Sequence, residues 1–219
     1  LYIAVWRNLP LLKRRVIPYS SFAELRKHEE EGRDYGVHFI NMDCSVLIMA
    51  PHGGGIEPGT SEIAFAVAHP DYSCYNFEGL KRSGNWILHV TSNKYDEPVA
   101  LSAVREAAVI LTLHGCAGET PVAFMGGLDV LFKHIIAGKL AERGFHTGEH
   151  KDFLGKNPRN ICNRGPSGCG AQMELTHGLR LLMFAGITRE ERKRPTELFF
   201  RFVAALKEAV KERVSLCSI

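Results

Sequence analysis

Apolar residues fall into two rhythms along this chain. Val46-Leu47-Ile48-Met49-Ala50 and Ala108-Val109-Ile110-Leu111-Thr112-Leu113 are short runs rich in branched side chains, each cut off by Pro or by His-Gly. Such runs read as strands buried on both faces. Gly170 to Thr176 alternates with period two, with Ala171, Met173 and Leu175 on one face and Gln172, Glu174 and Thr176 on the other. Strands are also expected near 72–77 and, from the alternation of Trp86 to Ser92, near 86–91. Helical spacing marks other stretches. Ser21-Phe22-Ala23-Glu24 is a capping box predicted to open a helix to about Glu31. A helix after Gly59-Thr60-Ser61-Glu62 would bury Ile63 and Val67, and Pro98 suits the first turn of another. Leu128, Leu131, Phe132, Ile135, Ile136 and Leu140 share one helical face, which Gly144 can end. Phe199, Phe202, Val203, Leu206, Val210 and Val214 mark a C-terminal amphipathic helix.

Strands alternating with helices predict an α/β fold: a single domain with a mixed, mainly parallel β-sheet between helix layers. The domain is expected over residues 20–219, with 1–19 as an N-terminal extension of uncertain standing. The chain starts without Met, which suggests a fragment or a misplaced start. Residues 152–170, rich in Gly, Pro and Asn, form the longest loop-like stretch and are expected to border a cleft.

Chemistry gathers where the apolar runs stop. Pro51-His52-Gly53-Gly54-Gly55-Ile56-Glu57 follows the first run directly, and His114-Gly115 follows the second. Loops at strand ends are the usual place for sites in α/β proteins. If the two strands lie side by side, His52, Glu57 and His114 form a two-His, one-carboxylate set of the kind that holds catalytic zinc and leaves a position open for water. The plainer alternative is that glycine ends each strand and each histidine packs or caps. Glu174, on the polar face of its strand, is the candidate general base, unless that face is the wet side of an edge strand.

These residues belong to a longer series of blocks. Gly59-Thr60 with Glu62, Phe77-Glu78-Gly79-Leu80 with Ser83-Gly84-Asn85, Leu88-His89-Val90-Thr91-Ser92 and Tyr95-Asp96-Glu97-Pro98 follow the first motif. Gly126-Gly127-Leu128, Asn160-Ile161-Cys162-Asn163-Arg164 and Gly170 to Leu175 follow His114-Gly115. In this order they resemble the phage poly-γ-glutamate hydrolase family, also labelled phage-related replication proteins, from about Tyr35 to about Arg180. The resemblance implies a zinc hydrolase with a fold similar to the zinc carboxypeptidases, cleaving γ-glutamyl amide bonds. It carries the metal ligands onto His52, Glu57 and His114 and the catalytic carboxylate onto Glu174. The third glycine, Gly55, departs from the family pattern and is expected to change loop flexibility more than chemistry.

A γ-glutamyl substrate carries a free α-carboxylate, so an arginine clamp is expected. Arg164, beside Asn163 in the loop before the Glu174 strand, is the first choice, with Arg180 and Arg82 behind it. His89 is expected as a donor near the site or as a packed core residue. The implied substrate is a glutamate-containing polymer or a small γ-glutamyl conjugate. Two rivals stand beside this function: an N-acyl amino-acid deacylase or peptidase with the same metal site, and a phage-derived DNA-associated protein that lacks catalysis. Retention of all four metal and base residues favours an enzyme.

Composition trims the remaining possibilities. No Gly-Lys-Ser or Gly-Lys-Thr follows the glycines at 53–55, and no Gly-x-Ser-x-Gly elbow occurs, so a nucleotide loop and the commonest serine hydrolase layout are excluded. Cys116 follows His114 closely, yet a small buried thiol is the simpler account. The six cysteines contain no Cys-x-x-Cys pair, which suggests free thiols in a reducing compartment. No apolar run approaches the roughly 20 residues that span a bilayer. The N-terminus lacks signal-peptide order, so the expectation is cytoplasmic, with release on phage lysis, and no membrane partner. The net charge is +3, but the basic residues concentrate at the two ends, and residues 34–188 hold 12 basic against 15 acidic. A nucleic-acid partner is therefore not expected, and any polyanion would need a local basic path that sequence does not display.

Overall fold

The computed structural model describes residues 19–217. The expected extension at 1–19 lies, but for its last residue, outside them. In chain order the elements are α1 (Phe22–Leu25), β1 (Tyr35–Ile40), β2 (Val46–Gly54), α2 (Thr60–Ala68), β3 (Ser73–Gly79), α3 (Pro98–Glu106) and β4 (Val109–Cys116). Then come β5 (Ala123–Gly127), α4 (Val130–Ala141), β6 (Thr147–Gly148), β7 (Ala171–Thr176), α5 (His177–Leu182), α6 (Arg189–Arg192) and α7 (Glu197–Ser215).

One seven-stranded sheet runs β1-β3-β2-β4-β7-β5-β6. Its centre, β3-β2-β4-β7, is parallel; β1 on β3 and β5 on β7 are antiparallel. The branched runs became β2 and β4 because both faces of the central strands are covered. Val46, Ile48 and Ala50 pack with α2, α4 and α7, while Leu47 and Met49 pack with Phe22, Tyr75, Tyr95 and α3. The sheet between helix layers matches the predicted architecture.

Several element predictions change. The first helix is a single turn, because Arg26 to Glu31 offers no apolar face to bury once Leu25 has been placed. Ser21 caps it by accepting from Glu24 N, but the Glu24 carboxylate reaches back to Ser20. No strand forms at 86–91. A 3-10 turn, Asn85–Leu88, leads into an extended stretch, and Leu88 at the end of the turn and Val90 after it are buried in the core with Leu47 and Met49. The alternation there reflects packing on a face and not a ladder. On α4, Phe132, Ile136 and Leu140 are buried as expected, but Leu131 is exposed. Pattern reading missed β1, β5 and β6, which are short, glycine-broken or on the rim of the sheet.

The parallel strands all point their C-terminal ends to one edge, where the loops meet. Glu97 secures part of that edge. Its carboxylate caps α3 by accepting from Val99 N at 3.0 Å and Ala100 N at 2.7 Å, and it accepts the Tyr75 hydroxyl at 2.8 Å. Glu97→Ala removes the cap and leaves the buried Tyr75 hydroxyl with only the Tyr95 hydroxyl, 3.1 Å away, as a partner, so it should cost about 2 kcal/mol of stability. Urea unfolding of the two proteins measures the difference, and an unchanged midpoint would show the cap to be dispensable.

Candidate active site

His52 sits inside β2, at a register shift between Ala50 and Gly53 against β3. The shift turns His52 toward the sheet's C-terminal edge. The glycines after it are there for close approach. Gly54 has φ +62°, and a Cβ on it would stand 2.7 Å from the Gly79 carbonyl. Gly55, expected to loosen the loop, instead lies against the Asn85 side-chain amide, which a Cβ would overlap. The third glycine is a packing requirement. His114 is within β4, and its Cα registers with that of Glu174 on β7.

Three ligand atoms converge, one each from His52, Glu57 and His114, all within 4.8 Å of one another. The imidazole Nδ1 atoms of His52 and His114 are 3.1 Å apart, and Glu57 Oε1 lies 3.3 Å from the first while Oε2 lies 3.7 Å from the second. Both histidines are buried. His52 Nε2 donates to the Val90 carbonyl at 2.7 Å, which can only accept, so Nδ1 is left as a lone pair facing the cluster. This is how a second group orients a metal-binding histidine. Without a cation, the short Nδ1–Nδ1 approach needs a proton from His114, and His114 Nε2 then has no partner of its own. A divalent cation would take the place of that proton. The donor set of two neutral imidazoles and one carboxylate fits zinc.

Burial and neighbouring groups displace the titration of the side chains around the cluster. Burial pushes Glu57 up, but His52, His89 and His114 outweigh it and hold the carboxyl well below its usual range. Gly115 N adds a hydrogen bond to Oε2 at 2.8 Å. Burial lowers His114 to about 3, keeping it neutral. Glu174 is displaced in the opposite direction: burial first, then the negative charge of Glu57, raise it well above the ordinary value. A carboxyl so placed readily holds a proton, as an acid–base group must.

Residues that sequence had not singled out set the orientation of Glu174. Asn160 Nδ2 donates to Gln172 Oε1 at 2.8 Å, and Gln172 Nε2 donates to Glu174 Oε1 at 3.0 Å. Gln172 was visible on the Glu174 face of the alternating strand. Asn160 lies in the predicted cleft-bordering loop, and nothing in sequence ties it to Gln172. The cleft over the ligands, about 590 Å³, is indeed walled by residues 151–157 of that loop, including Lys151 and Lys156.

The expected clamp residues are not gathered there. Arg164 turns away and donates to the Tyr95 carbonyl at 2.7 Å. Asn163 spends its amide on the Gly155 and Asn157 carbonyls and on Leu128 N and Gly170 N, which shapes the loop. Arg180 is 5 % exposed and binds three backbone carbonyls, of Leu175, Pro58 and Cys116. It does face a neighbouring arm of the cleft. Arg82 is exposed and lines a separate cleft farther along. His89 is at the site: it stacks on His52 with ring centroids 3.8 Å apart, and its Nε2 lies 3.5 Å from Glu57 Oε1. Cys116 is buried, and burial raises its thiol to about 11, which leaves it a poor nucleophile.

Comparison with known proteins shows the family and the fold. The family model for poly-gamma-glutamate hydrolase matches residues 19–205. The chain is 38 % identical over 196 residues to the UPF0714 protein YndL of Bacillus subtilis, covering 84 % of this chain and 77 % of that one. It is 35 % identical over 200 residues to the SPbeta prophage-derived UPF0714 protein YoqZ of Bacillus subtilis, covering 90 % of this chain and 72 % of that one. Among solved structures, a bacteriophage poly-gamma-glutamate hydrolase superposes with a TM-score of 0.89 at 32 % identity, over 92 % of this chain and all (100 %) of the other. YndL in a zinc-free apo form superposes at 0.84 with 36 % identity, over 88 % and 96 %. This chain belongs to the poly-gamma-glutamate hydrolase family.

Proposed function

We propose that this protein is a zinc-dependent hydrolase of γ-glutamyl amide bonds in a glutamate polymer, with Glu174 as its general base. The observation that carries the proposal is the convergence of His52, Glu57 and His114 beside the buried carboxyl of Glu174 at the C-terminal edge of the sheet. Family membership supplies the substrate class, and the zinc-free description of the YndL structure supports zinc as the metal. No helix among the described residues is long and apolar enough to cross a membrane.

The two Nδ1 lone pairs and the Glu57 carboxylate would hold the ion. Zinc supplies Lewis acidity, acidifying water and polarising a carbonyl oxygen. Glu174 takes the proton of the attacking water and passes it to the departing amine. Gln172 keeps one carboxylate oxygen occupied, so the other is the one left to work. His89, stacked over His52 at the cleft wall, is placed to donate to the substrate oxyanion. Arg164 and Asn163 have no such part, because neither lines the cleft over the ligands: Arg164 is turned to the Tyr95 carbonyl and the Asn163 amide holds the Gly155 and Asn157 carbonyls.

His52→Ala should strip the bound metal, read as zinc per chain by elemental analysis, whereas Glu174→Gln should retain zinc and lose on the order of a thousandfold or more in turnover. Near-full activity in Glu174→Gln would place the base elsewhere. Chelation should abolish activity and added zinc restore it; activity that survives exhaustive chelation would remove the metal from the mechanism. Arg164→Lys should leave KM for γ-glutamyl substrates unchanged, and a selective rise in KM would return that arginine to the substrate.

A further inference from the structure

Three clefts join end to end through the candidate site. The one containing the ligands shares Glu57, His89, Gly115 and Cys116 with a second of about 620 Å³. The second shares Ile56, Pro58, Trp86 and Ile187 with a third of about 570 Å³. The result is one groove with Lys151 and Lys156 at its first end and the metal ligands along it.

The far end has an unusual charge balance. The third cleft is lined by Lys81, Arg82, Arg189 and Arg192 and by no Asp or Glu. Two of those cations are neutralised locally, Lys81 by Glu29 and Asp34 and Arg192 by Glu62. Arg82 and Arg189 pair with no carboxylate among the described residues. Arg189 uses only Nη2 on the protein, toward the Gly79 and Lys81 carbonyls, which fixes the guanidinium and leaves its other donors free. Arg82 is exposed, and its side chain makes no hydrogen bond among the described residues. Two uncommitted guanidiniums in an acid-free cleft bind carboxylates, one of them held in place in advance.

We infer that Arg82 and Arg189 form a distal carboxylate-binding subsite that grips a glutamate polymer several units away from the bond being cut. The inference rests on the proposed action on γ-glutamyl polymers and makes it specific: the protein prefers long chains to short conjugates. A polymer with one free carboxylate per unit can lie along the groove, with its charges meeting cations at both ends while the amide link passes the ligands. Each exposed contact is weak, and the repeat adds them up.

The test uses the full zinc-loaded chain and a length series of γ-linked glutamate, from the dipeptide to polymer. Arg82→Gln, Arg189→Gln and the double variant should raise KM for polymer by about two- to tenfold and leave its kcat unchanged. KM for the dipeptide should not move, and Arg82→Lys with Arg189→Lys should restore most of the loss. Equal effects on dipeptide and polymer, or none on either, would overturn the subsite. A second readout does not depend on turnover. In a Glu174→Gln background without metal, fluorescence anisotropy should show labelled polymer binding that weakens with salt and with the double variant. Unchanged binding in the variant would again overturn the subsite, as would equal competition by single-stranded DNA of matched charge. If wild type binds polymer through these arginines yet hydrolyses no γ-glutamyl bond, the proposed chemistry fails and the groove stands.

Discussion

Glu57 is a carboxylate almost removed from water, and the architecture of the site follows from compensating it. An uncompensated buried charge is expensive, on the order of several kcal/mol after relaxation. Here the Gly115 amide donates to the carboxylate, and His89 Nε2, from the segment after β3, lies 3.5 Å from it. The lone pairs of His52 on β2 and His114 on β4 are electron-pair donors for a cation that would share it. Each donor lies on a different element, so the charge can be satisfied only when those elements are aligned. Burial keeps His114 neutral, so a divalent cation would complete the set.

That constraint also accounts for the polar groups around it. His52 needs its tautomer fixed, and the Val90 carbonyl fixes it. Glu174 is raised by the burial and by the neighbouring Glu57 charge, and the Asn160–Gln172 chain restrains it geometrically. Arg180 is the cation closest to serving the site, yet its guanidinium ties three carbonyls from β7, the turn after Glu57 and β4. Its positive charge lies behind the carboxylates and stabilises their placement. Substrate charge is then left to side chains on the groove walls, where Lys151, Lys156, Arg82 and Arg189 remain available.

The core of the fold was legible because its signals are local. Two branched runs ending in His-containing turns gave β2 and β4, and the alternating strand gave β7 with Gln172 and Glu174 on one face. The convergence of His52, Glu57 and His114 followed from the repeated arrangement of run, histidine and glycine. Signals failed where burial comes from a face and not from a ladder, as at Trp86 to Thr91, and where a strand is short and glycine-broken, as at β5. Arg164 and Arg180 were out of reach for a different reason: their partners are backbone carbonyls, and carbonyls have no sequence signature.

By itself, then, the sequence determined which residues could be buried together and which chemistry their types allow: a parallel sheet, two histidines and a carboxylate at strand ends, and an acid–base glutamate on a half-polar strand. Only the tertiary structure decided which atoms meet. It brought Val90 to His52, Asn160 to Gln172, Gly55 under Asn85 and Arg82 to the far end of the groove and away from the ligands. The physical reason is that periodicity records solvent exposure along one element, whereas hydrogen bonds and charge pairs depend on the distance between elements far apart in the chain.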